Sequence, residues 1–187
     1  EEQRVVSKSC HVAIGFCEDG SREVLGFLIQ DGESEETWTS FFEYLKARDL
    51  NSVDLVISDA HKGLVTAIKK CFTGVSWQRC QVHFLRNVLG QLPKKGTQGF
   101  REQVKALFRI TNVEEAREEM KILLERFSDD KRYARPCEIL EEKFEDAFQY
   151  AIVGKGQARI RSTNLLERLN QELMRREKVI RIFPNTA

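Results

Sequence analysis

The chain has 187 residues, 41% of them hydrophobic and 32% charged, with a formal net charge of +1. That length suits one domain with its own core, and the near-neutral balance gives no bulk signal for nucleic acid. No apolar run approaches a membrane span, the N-terminus does not read as a signal peptide, and five cysteines without a Cys-x-x-Cys pair argue for a reducing compartment rather than a disulfide framework.

In chain order, Val12, Ile14 and Phe16 alternate with Ala13 and Gly15, and Val24 to Ile29 follows the turn signal Asp19-Gly20. This predicts an antiparallel hairpin with a two-residue turn. Ser34 reads as an N-cap with Glu35 and Glu36 in the first turn. Trp38, Phe41, Phe42 and Leu45 then mark one apolar helix face. Val53 to Ile57 is short, β-branched and almost free of charge, which predicts a strand buried on both faces and ending at Asp59. A helix runs from there to about Phe72, and Gly74 breaks it. Trp77 to His83 reads as a second strand, parallel to the first. Phe84, Leu85, Val88 and Leu89 begin a helix that Pro93 ends.

From Lys94 onward the pattern is helical. Phe100, Val104, Leu107 and Phe108 mark one helix, and Thr111 with Glu114 reads as a capping box for the next. Ala116, Met120, Leu123, Leu124 and Phe127 form that helix's core face. A third helical stretch is expected from about Cys137 to Tyr150, a loop at Gly154 and Gly156, and a last helix from near Asn164 to about Glu177. Strands followed by strand–helix–strand–helix indicate an α/β fold with a mixed sheet. The predicted organisation is a core over residues 1–93, an all-helical insertion over 94–156 and a returning helix in 157–187.

Chemistry collects at the carboxyl ends of strands in open α/β sheets, and Asp59 stands at such an end. Taken alone, Asp59 is better explained as a helix cap. Cys80 and His83 form a Cys-x-x-His word, but a structural zinc needs four ligands and no spacing supplies the others. A Cys–His nucleophile pair would lack an oxyanion motif and an orienting third group. Glu167 sits on the last helix among Thr163, Asn164, Asn170 and Gln171. Its structural alternative is a capping box completed from Asn164. Glu172 has Arg168, Arg175 and Arg176 at helical spacing, which predicts ion pairs instead. The basic segment 155–181 includes Lys155, Arg159, Arg161, Arg168, Arg175, Arg176, Lys178 and Arg181, a local hint of an anionic ligand. Lys94, Lys95, Arg161, Arg175 and Arg176 are candidate phosphate contacts, each also explicable as a surface charge.

Three words carry a family resemblance: Val-Ile-Ser-Asp-Ala-His-Lys-Gly-Leu at 56–64, Ser-Trp-Gln-Arg-Cys-Gln-Val-His-Phe-Leu-Arg-Asn at 76–87, and Arg-Ser-Thr-Asn-Leu-Leu-Glu-Arg-Leu-Asn at 161–170. The hairpin text at Val5-Val6-Ser7-Lys8 and Glu23-Val24-Leu25-Gly26, and Ile182-Phe183-Pro184-Asn185, agree with them. The chain resembles the Mutator-type transposases of bacterial insertion sequences. That resemblance implies a ribonuclease-H-like mixed sheet with an all-helical insertion before the last helix, and an Asp-Asp-Glu site holding two Mg²⁺ or Mn²⁺ ions. Asp59 matches the second Asp and Glu167 the Glu, as catalytic residues and metal ligands. Cys80, His83, Thr163, Asn164 and Asn170 match the signature. The implied partners are the element's DNA ends, target DNA and a second copy of the chain, in the bacterial cytoplasm near the nucleoid.

In that family pattern the first Asp lies on a strand upstream of Glu1. The polypeptide as given is therefore expected not to cleave or join DNA, and strand edges left without that strand are expected to bring dimerisation, strand exchange or marginal stability. It would be a segment of a longer protein or the product of a decayed element. The competing expectation is a non-catalytic remnant that binds DNA or dimerises.

Overall fold

The structure, a computed structural model, describes residues 7–17, 19–153 and 160–180. Val5-Val6, the Gly154 and Gly156 loop, Lys155, Arg159, Arg181 and the Ile182-to-Asn185 word lie outside the described residues. Among those described, the order is β1 (Ser9–Phe16), β2 (Arg22–Gln30), α1 (Glu35–Ala47), β3 (Leu55–Ser58), α2 (Lys62–Cys71), β4 (Ser76–Arg79), α3 (Gln81–Gly90), α4 (Gln98–Leu107), α5 (Val113–Phe127), α6 (Ala134–Lys143) and α7 (Asn164–Ile180). Two short 3-10 turns, Glu145–Ala147 and Gln149–Val153, follow α6. The class is mixed α/β.

β1 and β2 pair antiparallel with a bulge at Ala13/Ile14, and β3 pairs parallel with β4. The expected single mixed sheet is instead two separate two-stranded sheets among the described residues. The hairpin turn also differs from the expected two-residue form. Cys17 N–H donates to Ser21 O at 3.1 Å and Gly20 N–H to Cys17 O at 2.9 Å, with Gly20 at φ 82°. A longer loop with a left-handed Gly fits the strand twist as a three-residue connection.

The second strand does not reach His83. β4 stops at Arg79 because its partner β3 ends at Ser58, and Cys80-Gln81-Val82-His83 opens α3. The first strand is likewise Leu55–Ser58 rather than 53–57. Caps shift by a residue in two places. Asn112, not Thr111, caps α5, its side chain accepting from Glu114 and Glu115 N–H at 2.9 and 3.2 Å. α7 begins at Asn164, so Thr163 rather than Asn164 precedes it, with Thr163 O accepting from Glu167 N–H at 3.0 Å. The third helical stretch starts earlier and ends sooner than expected, at Ala134–Lys143.

Two apolar clusters form the core. One joins Phe41, Phe42 and Leu45 of α1 to Leu64, Ala67 and Ile68 of α2, with Leu25 and Leu28 of the hairpin, Val56 and Trp77 against it. The other joins Phe84 and Val88 of α3 to the helical stretch through Phe100, Val104, Leu140, Phe144 and Tyr150, with Leu55 and Ile160 against it. Leu55 and Val56 thus serve opposite clusters, as successive strand residues must. The parallel pair is the wall between them. The outer face of the hairpin is apolar and uncovered among the described residues: Phe16, Val24, Phe27 and Ile29 are all exposed.

His11 lies fully buried in β1, stacked on Trp38 at 3.8 Å, and neither ring nitrogen has a hydrogen-bond partner. Burial lowers its pKa, with Glu33 opposing in part. The folded ring takes up a proton less readily than the unfolded one, whose ordinary value is about 6.5. Its contribution to stability is therefore present above that pH and lost as pH falls below it. Urea titrations from about pH 7.5 to about pH 5.5 should show stability falling, and His11→Phe should flatten part of that fall. Equal pH slopes in both proteins would contradict this assignment.

Close packing of α2 on α1 explains Gly63. A Cβ there would meet Glu35 N at 2.9 Å and Ser34 C at 3.2 Å, both backbone atoms. Gly63→Ala should destabilise by about 1–3 kcal/mol. Gly90, on α3 with open space around it, should instead gain about 0.4–1 kcal/mol on change to Ala. Chemical denaturation of both variants checks the pair.

Candidate active site

Asp59 follows directly on β3, exposed at the carboxyl end of the parallel pair. Its carboxylate faces the next turn, where His61 N–H lies 3.4 Å from Oδ1. His61, not Asp59, caps α2, its Nδ1 accepting from Leu64 N–H at 3.4 Å. Asp59 is therefore not tied up as the helix cap. Ser58, the residue before it, is held twice. Its O accepts from Cys80 N–H at 2.7 Å, and its Oγ accepts from the Trp77 indole at 2.9 Å.

The start of α7 lies against the start of α3. Cys80 is fully buried, and its Sγ accepts from the Thr163 hydroxyl at 3.2 Å and the Thr163 N–H at 3.4 Å. His83 Nε2 lies 3.4 Å from Glu167 Oε1, and Arg86 Nη2 lies 4.0 Å from Glu167 Oε2. Glu167 Oε1 and His83 Nδ1 are both buried and make no hydrogen bond. The structure thus joins Cys80, His83, Thr163 and Glu167 into one cluster. Asn164 and Asn170 are exposed on α7. Among the described residues, no group of three or more His, Cys, Asp or Glu is placed to hold a metal ion.

Glu172 is engaged elsewhere. Arg175 donates to it at 2.9 and 2.8 Å and Arg176 at 2.9 Å, which holds its carboxyl down at about 2. Arg175 and Arg176 therefore have a carboxylate partner on their own helix. Lys94 and Lys95 are exposed at the end of the α3–α4 connection. Arg161 points inward. Its guanidinium donates to Gln81 Oε1 at 2.9 Å, to Ile110 O at 3.0 Å and to Phe108 O, and lies over the Tyr150 ring.

Two glutamines complete that inner network. Gln78, fully buried, donates to Ile160 O at 3.0 Å and accepts from Tyr150 N–H at 2.6 Å. Gln81 donates to Ala147 O at 2.8 Å, and its own N–H goes to Arg161 O at 3.1 Å. Sequence reasoning missed Gln78, Gln81 and Arg86. The signal for Arg86 was its i+3 spacing from His83, visible once the helix is started at Gln81.

A family model described as "Transposase, Mutator family" matches residues 1–187. The transposase of insertion sequence element IS256 in transposon Tn4001 from Staphylococcus aureus is 60% identical over 185 residues, covering 99% of this chain and 47% of that protein. The transposase of element ISRM5 from Rhizobium meliloti (strain 1021) is 38% identical over 183 residues, covering 97% and 46%. That of element IS1081 from Mycobacterium tuberculosis (strain ATCC 25618 / H37Rv) is 34% identical over 188 residues, covering 100% and 45%. The chain spans about half the length of the curated relatives it matches.

The inner position of Arg161 yields a stability test. Arg161→Ala leaves three acceptors without their donor and should cost about 2–4 kcal/mol. Arg175→Ala, at an exposed pair, should change stability by less than about 1 kcal/mol. Denaturation midpoints that rank the two the other way would contradict the inward network.

Proposed function

This chain belongs to the Mutator family of transposases, and we propose that it forms part of the domain that cuts and joins DNA, with Asp59 and Glu167 as ligands for divalent ions. The observation that carries this is the docking of α7 onto the start of α3. Thr163, just before α7, meets Cys80, the residue that follows β4, and Glu167 meets His83 one turn along α3, which supports a site shared with Asp59 although the two carboxylates are far apart in sequence. Their donor chemistry fits Mg²⁺ or Mn²⁺, which take hard oxygen ligands. Glu167 Oε1, buried without a hydrogen bond, is an acceptor left open for such a ligand. When bound, two such ions activate the attacking oxygen of a phosphodiester cleavage and stabilise the leaving one. Arg86 stands exposed beside Glu167, where an incoming phosphate would meet it.

A ribonuclease-H-like arrangement is part of the same proposal. An antiparallel hairpin, a parallel strand pair and a run of helices before the carboxylate-bearing last helix support it. Among the described residues β1 pairs only with β2, and β3 only with β4. The family pattern puts the strand carrying the first Asp between β1 and β3. Open strand edges favour pairing with a second chain, which supports the homodimer reading. A non-catalytic remnant that binds DNA or dimerises is the second reading.

The test is strand cleavage and strand transfer in Mg²⁺ or Mn²⁺ on DNA carrying the element's ends, run with the complete transposase and with residues 1–187 alone. Asp59→Ala and Glu167→Ala should each lower cleavage by the complete protein at least about 100-fold, whereas Glu172→Ala should leave it near wild type. Residues 1–187 alone, supplying two of three family carboxylates, should not cleave. Their residual DNA binding should weaken steeply with salt. Undiminished cleavage in both carboxylate mutants of the complete protein would refute the site.

A further inference from the structure

Two helix starts meet here rung by rung. On α3, Cys80 and His83 are one turn apart; on α7, Thr163 and Glu167 are one turn apart. The first rung is Cys80 Sγ with the Thr163 hydroxyl at 3.2 Å, and the second is His83 Nε2 with Glu167 Oε1 at 3.4 Å. Cys80 also donates its N–H to Ser58 O at 2.7 Å, one residue before Asp59. A single buried residue therefore ties the strand end that presents Asp59 to the helix start that presents Glu167. Thr163, at a position where a hydroxyl ordinarily caps its own helix, turns its hydroxyl to the thiol instead.

Other uses of the Cys-x-x-His word fit this geometry poorly. As a zinc pair it would need further ligands, and the Cys80 sulfur instead accepts from the Thr163 hydroxyl and N–H. As a nucleophile, Cys80 has no exposed surface and lies against Thr163. A purely structural ion pair is a weak account of the second rung, because Glu167 Oε1 and His83 Nδ1 remain buried without hydrogen bonds.

We propose that Cys80 and His83 are positioning residues: Cys80 fixes the spacing between the turns bearing Asp59 and Glu167, and His83 holds the Glu167 carboxylate in the orientation that accepts a divalent cation. This rests on the function proposed above. Glu is a side chain with large rotamer freedom, and its imidazole neighbour restricts that freedom. Partners that orient a metal ligand typically alter affinity or activity about 10- to 100-fold when removed.

The experiment uses the complete transposase with His83→Ala, His83→Gln, Thr163→Val and Cys80→Ala. Mn²⁺ binding without DNA is followed by electron paramagnetic resonance, and kcat and KM for end cleavage are measured on the same preparations. His83→Ala should weaken Mn²⁺ binding and lower kcat about 10- to 100-fold with KM for DNA unchanged. His83→Gln, which keeps a side-chain N–H donor of similar reach, should recover most of both. Thr163→Val, which keeps the helix start but removes the hydroxyl, should lower kcat in the same direction and keeps the first rung testable if Cys80→Ala does not fold. Wild-type Mn²⁺ binding and kcat in His83→Ala and Thr163→Val, alongside Asp59→Ala and Glu167→Ala proteins that do not cleave, would overturn the positioning role and leave the function intact. Cleavage persisting in Asp59→Ala and Glu167→Ala would overturn the function and the positioning role together.

Discussion

The approach to α7, at Ile160 and Arg161, is held by hydrogen bonds from β4 and the start of α3. Gln78 and Gln81 reach Ile160 O, Tyr150 N–H, Ala147 O and the Arg161 side chain, while Arg161 reaches Phe108 O and Ile110 O. These bonds gather the end of the helical stretch and the approach to α7 around one strand end. Each buried polar group left unpaired would cost about 1–3 kcal/mol. The network is stable as a set and poorly tolerant of partial loss. Since Glu167 is delivered by the segment that this network anchors, the carboxylate's position is inherited from glutamines that never touch it.

This arrangement also gives the helical stretch between Lys94 and Val153 a mechanical part. Its aromatic core, including Phe100 stacked on Tyr133 and Phe144 stacked on Phe148, packs the helices together. Close-packed interiors transmit displacement rather than absorb it. The carbonyls of Phe108, Ile110 and Ala147 belong to that stretch, and through Arg161 and Gln81 they bear on the start of α7.

How far the sequence could be read follows from what carries each feature. The hairpin, the apolar face of α1 and the strand before Asp59 were legible because periodicity and β-branching report burial directly. The end of β4 was not. Gln-Arg-Cys-Gln has no period, and the strand's length is set by its four-residue partner β3 rather than by its own text. At the site, Asp59, Cys80, His83, Thr163 and Glu167 stood out through the words they occupy, and the structure adds who touches whom. Gln78, Gln81 and the inward turn of Arg161 were illegible for a different reason. Their partners are mostly backbone carbonyls, some of them 66 to 82 residues away in sequence, and a carbonyl leaves no side-chain signature.

The balance between polar and apolar contacts on α7 explains why directional bonds are used at this place. Leu165, Leu166 and Leu169 are only half-buried, and Leu173 and Met174 are exposed. A helix held by a partial apolar stripe can roll, since apolar attraction is non-directional, and a rotation by one residue turns a side chain through about 100°. Glu167 would then point anywhere along that arc. Two polar contacts a turn apart restrict both the roll and the slide along the axis, because a side chain that moves off its partner loses the contact. Cys80 with Thr163 and His83 with Glu167 are such a pair. The thiol is a weak acceptor, so the first contact adds little energy. Its contribution is orientation, and orientation is what a carboxylate must have to share a cation with a residue on another element.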